Sequence, residues 1–275
     1  MLRGVEAAAS PWSKAAMVTL YEHPLSPYAQ KVKIALLEKH VAFEVTIPDL
    51  FGGGEPAFRA ANPRREVPAL IDGEVAVFDS TIILEYIEDR WPQPALLPVG
   101  AAARARVRQI EEMCDTYYEA INWALYEVRV FQRASGELAE RLLARASEQT
   151  AGANAWLQRQ LGSAPWFNGD QFGWGDLSAA PVVHAAAISG NAPPSGSALA
   201  GWLERVRARP SVATTFEQAL DSMGGFQMLP DLVRSGVFVR EYRDHRLEWM
   251  LRSGGVEVVL DGLQKKNIRF SDELA

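Results

Sequence analysis

Residues 17–92 carry an order of local patterns that leaves few ways to fold. MVTLYE (17–22) reads as a short strand. Residues 27–40 place apolar Val32, Ile34, Ala35, Leu36 and Leu37 for a helix with one buried face. AFEVTI (42–47) alternates as a strand does. Pro48 to Glu55, with Gly52-Gly53-Gly54, reads as a flexible loop. EVPALID (66–72) and EVAVF (74–78) flank Asp72-Gly73, a strong hairpin signal. Ser80 then opens a helix, TIILEYIEDRW, which Pro92 stops. The order is β-α-β-(loop)-β-β-α. A βαβ unit followed by a hairpin and a helix predicts a mixed four-stranded sheet covered by helices.

The pattern changes after PQPALLPVG (92–100), a proline-rich linker. Val107, Ile110, Cys114, Tyr117, Ile121, Leu125 and Val128 recur in steps of three and four, predicting one long helix over 101–134. Residues 137–161 predict a second. In Phe172-Gly173-Trp174-Gly175-Asp176-Leu177, Asp176 sits where an acid reaches back to the cap of a helix beginning near Gly173, and Phe172 and Leu177 are placed for a hydrophobic staple. Residues 198–208 and 211–221 add two short helices split by Pro210. The expected fold class is thus α/β plus all-α. Residues 1–16 are expected to be a disordered extension, 17–92 a sheet domain, 93–100 a linker and 101–225 a helical domain. Residues 226–275 are a C-terminal helical extension. Within it, Arg234, Arg240, Arg243, Arg246 and Arg252 are interspersed with acids, which predicts a solvated, ion-paired helix, with a lid over a site or a membrane-surface role as the alternative.

Composition narrows the function. A net charge of −6 argues against a general nucleic-acid binder. The single cysteine, Cys114, excludes an intrachain disulfide framework and a CxxC redox pair, and the four histidines show no metal-ligand spacing. No apolar run approaches the ~20 residues of a membrane span.

Three short motifs carry the candidate chemistry. Ser26-Pro27 is a well-made helix start, a capping serine followed by a proline at the first helical position. The same hydroxyl at a helix N-terminus can also hold an anion such as a thiolate. Val67-Pro68 places a proline within a strand pattern, where it suits a strand start or edge. Asp79-Ser80 precedes a helix whose first-turn N–H groups can bind a carboxylate, with Ser80 as the expected cap.

Four stretches in order give a resemblance to the cytosolic glutathione transferase superfamily, serine-type and bacterial-like. They are LSPYAQKVKIALLEK (25–39), ANPRREVPALIDGEVAVFDSTIILEYIEDRWP (61–92), GDQFGWGDLSAAPVV (169–183) and LAGWLERVRARPSVATTF (199–216). The resemblance covers roughly residues 17–220 and leaves the tail outside the common pattern. It implies a thioredoxin-like domain followed by a helical bundle, a cytoplasmic homodimer, and glutathione as co-substrate without a metal.

Residue by residue, the resemblance implies that Ser26 donates to the glutathione sulfur and keeps it ionised. It implies a cis Pro68, with the Val67 backbone offered to the cysteinyl part. Ser80 would hold the γ-glutamyl carboxylate and Asp79 the amino group. At the glycine end, Glu66 stands where relatives often have Gln or Lys; a carboxylate there repels the ligand's own, and Arg64 or Arg65 would have to compensate. The electrophile pocket would lie between the domains over the long helix, with Tyr28, Tyr117, Tyr118, Trp123, Tyr126 and Phe131 as wall candidates; such an aromatic stripe also suits a core or a dimer contact. The expected activity is conjugation of the thiolate to small hydrophobic or aromatic electrophiles. A thiol reductase of the same fold and a non-catalytic interaction protein are the alternatives; serine rather than cysteine at 26 counts against the first.

Overall fold

The computed structural model describes residues 17–49, 54–224, 226–241 and 244–269, and the side chains of Glu241, Asp244, His245 and Arg269 are not described. The expected extension at 1–16, and Gly52 and Gly53 of the glycine loop, lie outside the described residues.

The first half is built on four strands, β1 (Val18–Tyr21), β2 (Phe43–Thr46), β3 (Ala69–Asp72) and β4 (Val75–Phe78), in the order β2-β1-β3-β4. β1 runs parallel to β2 and antiparallel to β3, with Leu20 opposite Val45 on one side and Leu70 on the other. The inner strands hold the buried Leu20, Leu70 and Ile71, whereas Val45 and Val75 on the edge strands are exposed. The β3–β4 hairpin turns through Gly73 at φ +59°, a conformation that favours glycine. Helices α1 (Pro27–Glu38), α2 (Pro56–Ala61) and α3 (Ser80–Arg90) complete this half. α2 has no counterpart in the sequence reading, because a six-residue helix is too short to show a period. The cap of α3 is Asp79, not Ser80: its carboxylate accepts from Thr81 N at 3.1 Å, and Ser80 is the first helical residue, buried. Asp79 sits at φ +72°, which acidic and amide residues tolerate better than most.

The connection to the second half is pinned from both sides. Glu88 accepts from the Leu96 and Leu97 amides and pairs with Lys39 Nζ at 2.7 Å, and Lys39 also donates to the Trp91 and Pro94 carbonyls. These bonds satisfy buried charge and backbone together.

The second half is helical: α4 (Ala101–Met113), α5 (Glu119–Arg129), α6 (Gly136–Leu161), α7 (Trp174–Ile188), α8 (Ala198–Arg207) and α9 (Pro210–Asp221). The expected single helix over 101–134 is interrupted by a π-helical turn, Cys114–Tyr118. That turn adds a residue to the rotation. Tyr118 therefore follows Cys114 into the core, while Tyr117, which the unbroken period would bury, is exposed. α7 is buried along most of its length, and its start is the expected acid-to-cap arrangement. Asp176 accepts from Gly173 N at 3.0 Å, Phe167 N at 2.9 Å and Trp202 Nε1 at 2.8 Å.

The tail is not one solvated helix. It folds as α10 (Leu229–Arg234), β5 (Arg240–Glu241), α11 (Asp244–Arg252), α12 (Val256–Gln264) and β6 (Ile268–Arg269), with β5 and β6 paired in parallel. Trp249, Met250, Val258, Val259 and Ile268 share a core with Ile121, Leu125, Leu142 and Ala146 of α5 and α6. Arg234 and Arg252 are exposed and pair along their own helices, as expected. Arg240 and Arg246 are not: each is largely buried and paired to a carboxylate of α5.

Candidate functional site

A cleft of about 500 Å³ opens between the sheet half, the helical half and the tail. Its sheet-side wall starts at the β1–α1 junction. The chain leaves β1 and turns at His23, whose carbonyl accepts from Ser26 N at 2.8 Å. Ser26 has extended backbone and caps α1, its Oγ accepting from Ala29 N at 3.3 Å. Used as an acceptor on that side, the hydroxyl keeps its hydrogen for a ligand. Gln30 fixes the same loop by donating to the Pro24 carbonyl at 2.7 Å. His23 accepts from Leu25 N through Nδ1, and burial holds its pKa below the usual histidine value. Tyr28 donates from its hydroxyl to the Asp115 carbonyl at 2.9 Å, joining the wall to the π turn.

The second wall segment is the loop before β3, wound around buried Asn62. Asn62 Oδ1 accepts from Arg64 N at 2.9 Å, its carbonyl from Arg65 N at 3.0 Å, and its Nδ2 donates to the Glu66 carbonyl at 2.7 Å. Arg65 is held at φ +56°. Arg64 Nε lies 3.3 Å from Glu66 Oε2, an ion pair between one of the two named arginines and that carboxylate. The Val67-Pro68 peptide bond is cis. A second cis bond, Gln93-Pro94, lies in the linker and had no sequence signal. The β3–β4 register pairs Ala69 with Phe78, which brings Pro68 and Asp79 to the same end of the hairpin.

Of the residues singled out from sequence, Ser26, Tyr28, Glu66, Val67, Trp123 and Tyr126 line the cleft together, as do Arg65 and Phe131. Arg64, Pro68, Asp79 and Ser80 are not part of its lining. Tyr117 and Tyr118 do not belong to it. Tyr117 is exposed, and Tyr118 is fully buried with its hydroxyl donating to Asn154 Oδ1 at 2.7 Å, burial pushing its pKa up. Both were misplaced by the π turn.

Other lining residues are not among the site candidates named from the sequence, although a lid is the alternative reading of the tail. His184 of α7 stacks on Phe216 at 4.0 Å and accepts from Arg207 Nε through Nδ1 at 3.0 Å. Burial, and then the Arg207 charge, lower its pKa to about 4. The tail contributes Phe226, Leu229, Phe238, Arg240 and Arg246. No local pattern ties these to the cleft, because their contacts join segments far apart in the chain.

Beneath the site lies a buried ionic group. Lys31 of α1 reaches Glu111 Oε1 at 2.6 Å and Asp115 Oδ2 at 2.5 Å, and Thr81 of α3 donates to Glu111 at 2.9 Å. Burial opposes the Lys31 charge, but the two carboxylates outweigh it and raise its pKa. Asp115 is raised to about 6 by burial and by Glu111, against the pull of Lys31. Cys114 is fully buried, and burial pushes its thiol pKa well up, so it has no thiolate to offer. Among the described residues no group of side chains fits a metal, and no helix is long and apolar enough to cross a membrane.

Comparison with known proteins agrees with this architecture. The family model of the glutathione S-transferase N-terminal domain matches residues 20–95, and that of the C-terminal domain residues 140–205. A stringent starvation protein A homolog of Coxiella burnetii is 38% identical over 34% of this chain and 45% of its own length; that of Haemophilus influenzae is 29% identical over 75% and 93%. A maleylacetoacetate isomerase of Pseudomonas aeruginosa is 30% identical over 73% of this chain and 94% of its own. Among solved structures, rice GST1 in complex with glutathione superposes with a TM-score of 0.66 at 25% identity, covering 80% of this chain and 98% of that one. With a four-stranded mixed sheet followed by a helical bundle, and with both domain models matched in order, the chain belongs to the glutathione S-transferase superfamily.

Proposed function

We propose that this protein is a glutathione transferase that ionises the tripeptide's thiol at Ser26 and joins its sulfur to a small hydrophobic or aromatic electrophile. The observation that carries this reading is the state of Ser26: a capping oxygen satisfied by Ala29 N, with its hydroxyl hydrogen left over, at a helix N-terminus on the wall of a cleft. A donor and a helix dipole at one point favour the charged form of a thiol whose free pKa is about 8.5. Val67 would receive the cysteinyl backbone, Asp79 and Ser80 the γ-glutamyl end, and Arg65 the glycine carboxylate. The reaction releases the thiol proton to solvent, forms an S–C bond, and expels a leaving group with its bonding pair, or adds to an activated alkene whose carbanion takes a proton from solvent. The name of one relative, a maleylacetoacetate isomerase, extends this reading to an isomerisation in the same cleft. A homodimer and a cytoplasmic location go with this reading.

The test is the titration of bound glutathione, followed by thiolate absorbance. Wild type should hold the thiol about one unit or more below its free value, and Ser26→Ala should return it by roughly that amount. An identical titration in both proteins would overturn the assignment.

One observation favours a second reading, an interaction protein that kept the fold. Glu66 lines the cleft at the end proposed for the glycine carboxylate, and the stringent starvation protein relatives are not named for an enzymatic activity. Failure of immobilised glutathione to retain the protein would favour it. The reductase alternative is disfavoured, because position 26 is serine and the single cysteine is inaccessible.

A further inference from the structure

The tail closes one side of the cleft with a wall that is both aromatic and cationic. Its centre is Arg240, whose guanidinium carbon lies 3.8 Å from the Phe131 ring centre, 5.3 Å from that of Phe238 and 5.5 Å from that of Trp123. The Phe131 and Phe238 rings meet edge to face at 5.8 Å. Arg240 Nε donates to Glu127 Oε1 at 2.7 Å. That bond ties the tail to α5 and accounts for one side of the guanidinium.

The other side is unaccounted for. The Nη atoms of Arg240 make no hydrogen bond to any described residue, although the side chain is only 12% exposed and the residue lines the cleft. Glu127 also meets Arg133 Nε at 3.1 Å, so two guanidiniums lean on one buried carboxylate. A planar fork of donors, fixed between rings in a wall of low polarity, is pre-organised for a carboxylate. A guanidinium on the cleft wall favours an anionic guest over a neutral one. The surrounding rings, Trp123, Tyr126, Phe131, Phe216, Phe226 and Phe238, favour a planar body on that anion.

We propose that Arg240 binds the carboxylate of an aromatic acid, and that the electrophile offered to glutathione in this cleft is an aryl carboxylic acid bearing a leaving group. The reaction rests on the transferase reading above; the binding does not. For a chloroaryl acid, the S–C bond forms at the ring carbon, the C–Cl bond breaks, chloride leaves with the bonding pair and the thiol proton goes to solvent.

The experiment compares an acid with its ester. Calorimetry measures binding of dinitrobenzoate and its methyl ester, and steady-state kinetics measures conjugation of chlorodinitrobenzoate and its methyl ester with glutathione. Wild type should favour the acid about tenfold or more in binding, and in KM where it turns over. Arg240→Met, which keeps the aliphatic stem between the rings, should remove the preference; Arg240→Lys should keep part of it. No preference in wild type overturns the proposal whether or not any variant folds, and so does a preference that survives in folded Arg240→Met. Preferential binding without turnover of either compound would sink the transferase reading and the electrophile assignment with it, and support the Arg240 carboxylate site alone. Turnover of both compounds without preference would do the reverse.

Discussion

Lys31 Nζ lies 2.6 Å from Glu111 Oε1, an ion pair that joins the first helix of the sheet half to the first helix of the bundle, with both side chains almost wholly buried. Asp115 and the indole of Trp174 complete the group, Trp174 Nε1 donating to Glu111 Oε2 at 2.5 Å. Removing the cation leaves two buried carboxylates facing each other. Lys31→Met should therefore cost about 3–5 kcal/mol of stability, read from urea unfolding near neutral pH. The deficit has a sign in pH. Asp115 already titrates at about 6, above the ordinary 3.8, and loss of Lys31 raises it further. A carboxyl with a raised folded pKa loses stability as pH climbs through that value. The variant should thus approach wild type toward about pH 4 and fall away above about pH 6. A deficit independent of pH would exclude this account.

Ser26→Ala separates two jobs of one oxygen. Loss of the cap to Ala29 should lower stability by about 1 kcal/mol. Loss of the donor to sulfur should lower kcat/KM for conjugation about tenfold to a hundredfold. Ser26→Thr keeps both the cap and the hydroxyl and should restore most of each. Equal activity of the alanine and threonine variants would show that the oxygen serves the helix alone.

Gly173 is required for space, not for backbone freedom. A Cβ there would lie 2.0 Å from Asn168 Nδ2 and 2.4 Å from the Leu96 carbonyl oxygen. Asn168 is itself engaged, donating to Leu96 O at 2.7 Å and accepting from Gly175 N at 3.0 Å. Gly173→Ala should cost about 1–3 kcal/mol through overpacking, measured by thermal or urea unfolding. A neutral effect would mean that this junction shifts freely.

The features legible in the sequence are those set by neighbours along the chain. The Asp176 cap, the Asp72-Gly73 hairpin and the Ser26 helix start each need only a few consecutive residues, and each is found where its pattern lies. Helical period located the bundle but misplaced Tyr117 and Tyr118, because a π turn has no signature in hydrophobic spacing. Arg240 and Arg246 read as solvated because their acids are close by in sequence; their actual partners, Glu127 and Glu119, lie on another helix more than a hundred residues away. The site was readable on its sheet side and hidden on its tail side for the same reason.

His184 gives the native state a defined acid sensitivity. Its folded pKa of about 4 lies below the unfolded 6.5, owing to burial and then to Arg207. Between those values the unfolded chain binds a proton that the native protein refuses, so stability falls as pH drops from about 6.5 toward 4. His184 is partly exposed, so the full effect is discounted to on the order of 2 kcal/mol. His184→Gln, which cannot titrate, should flatten this part of the pH–stability curve relative to wild type. Parallel curves for the two proteins would contradict it.

The tail should unfold with the bundle and not before it. Trp249 of α11 is buried in a core shared with α5 and α6, with its indole donating to Gln149. The same short helix carries Arg246, which meets Glu119 Oε1 at 2.9 Å and lines the cleft. Apolar contact and buried ion pairing thus act on one surface, and opening the tail would expose both together. Trp249→Ala removes a large side chain from this contact and should cost about 3–5 kcal/mol. The whole urea transition, followed by far-ultraviolet circular dichroism, should move to lower denaturant with its slope unchanged. An appendage docked on a finished domain would behave differently: the variant would show an early transition of small amplitude, and the main one would stay where it is in wild type.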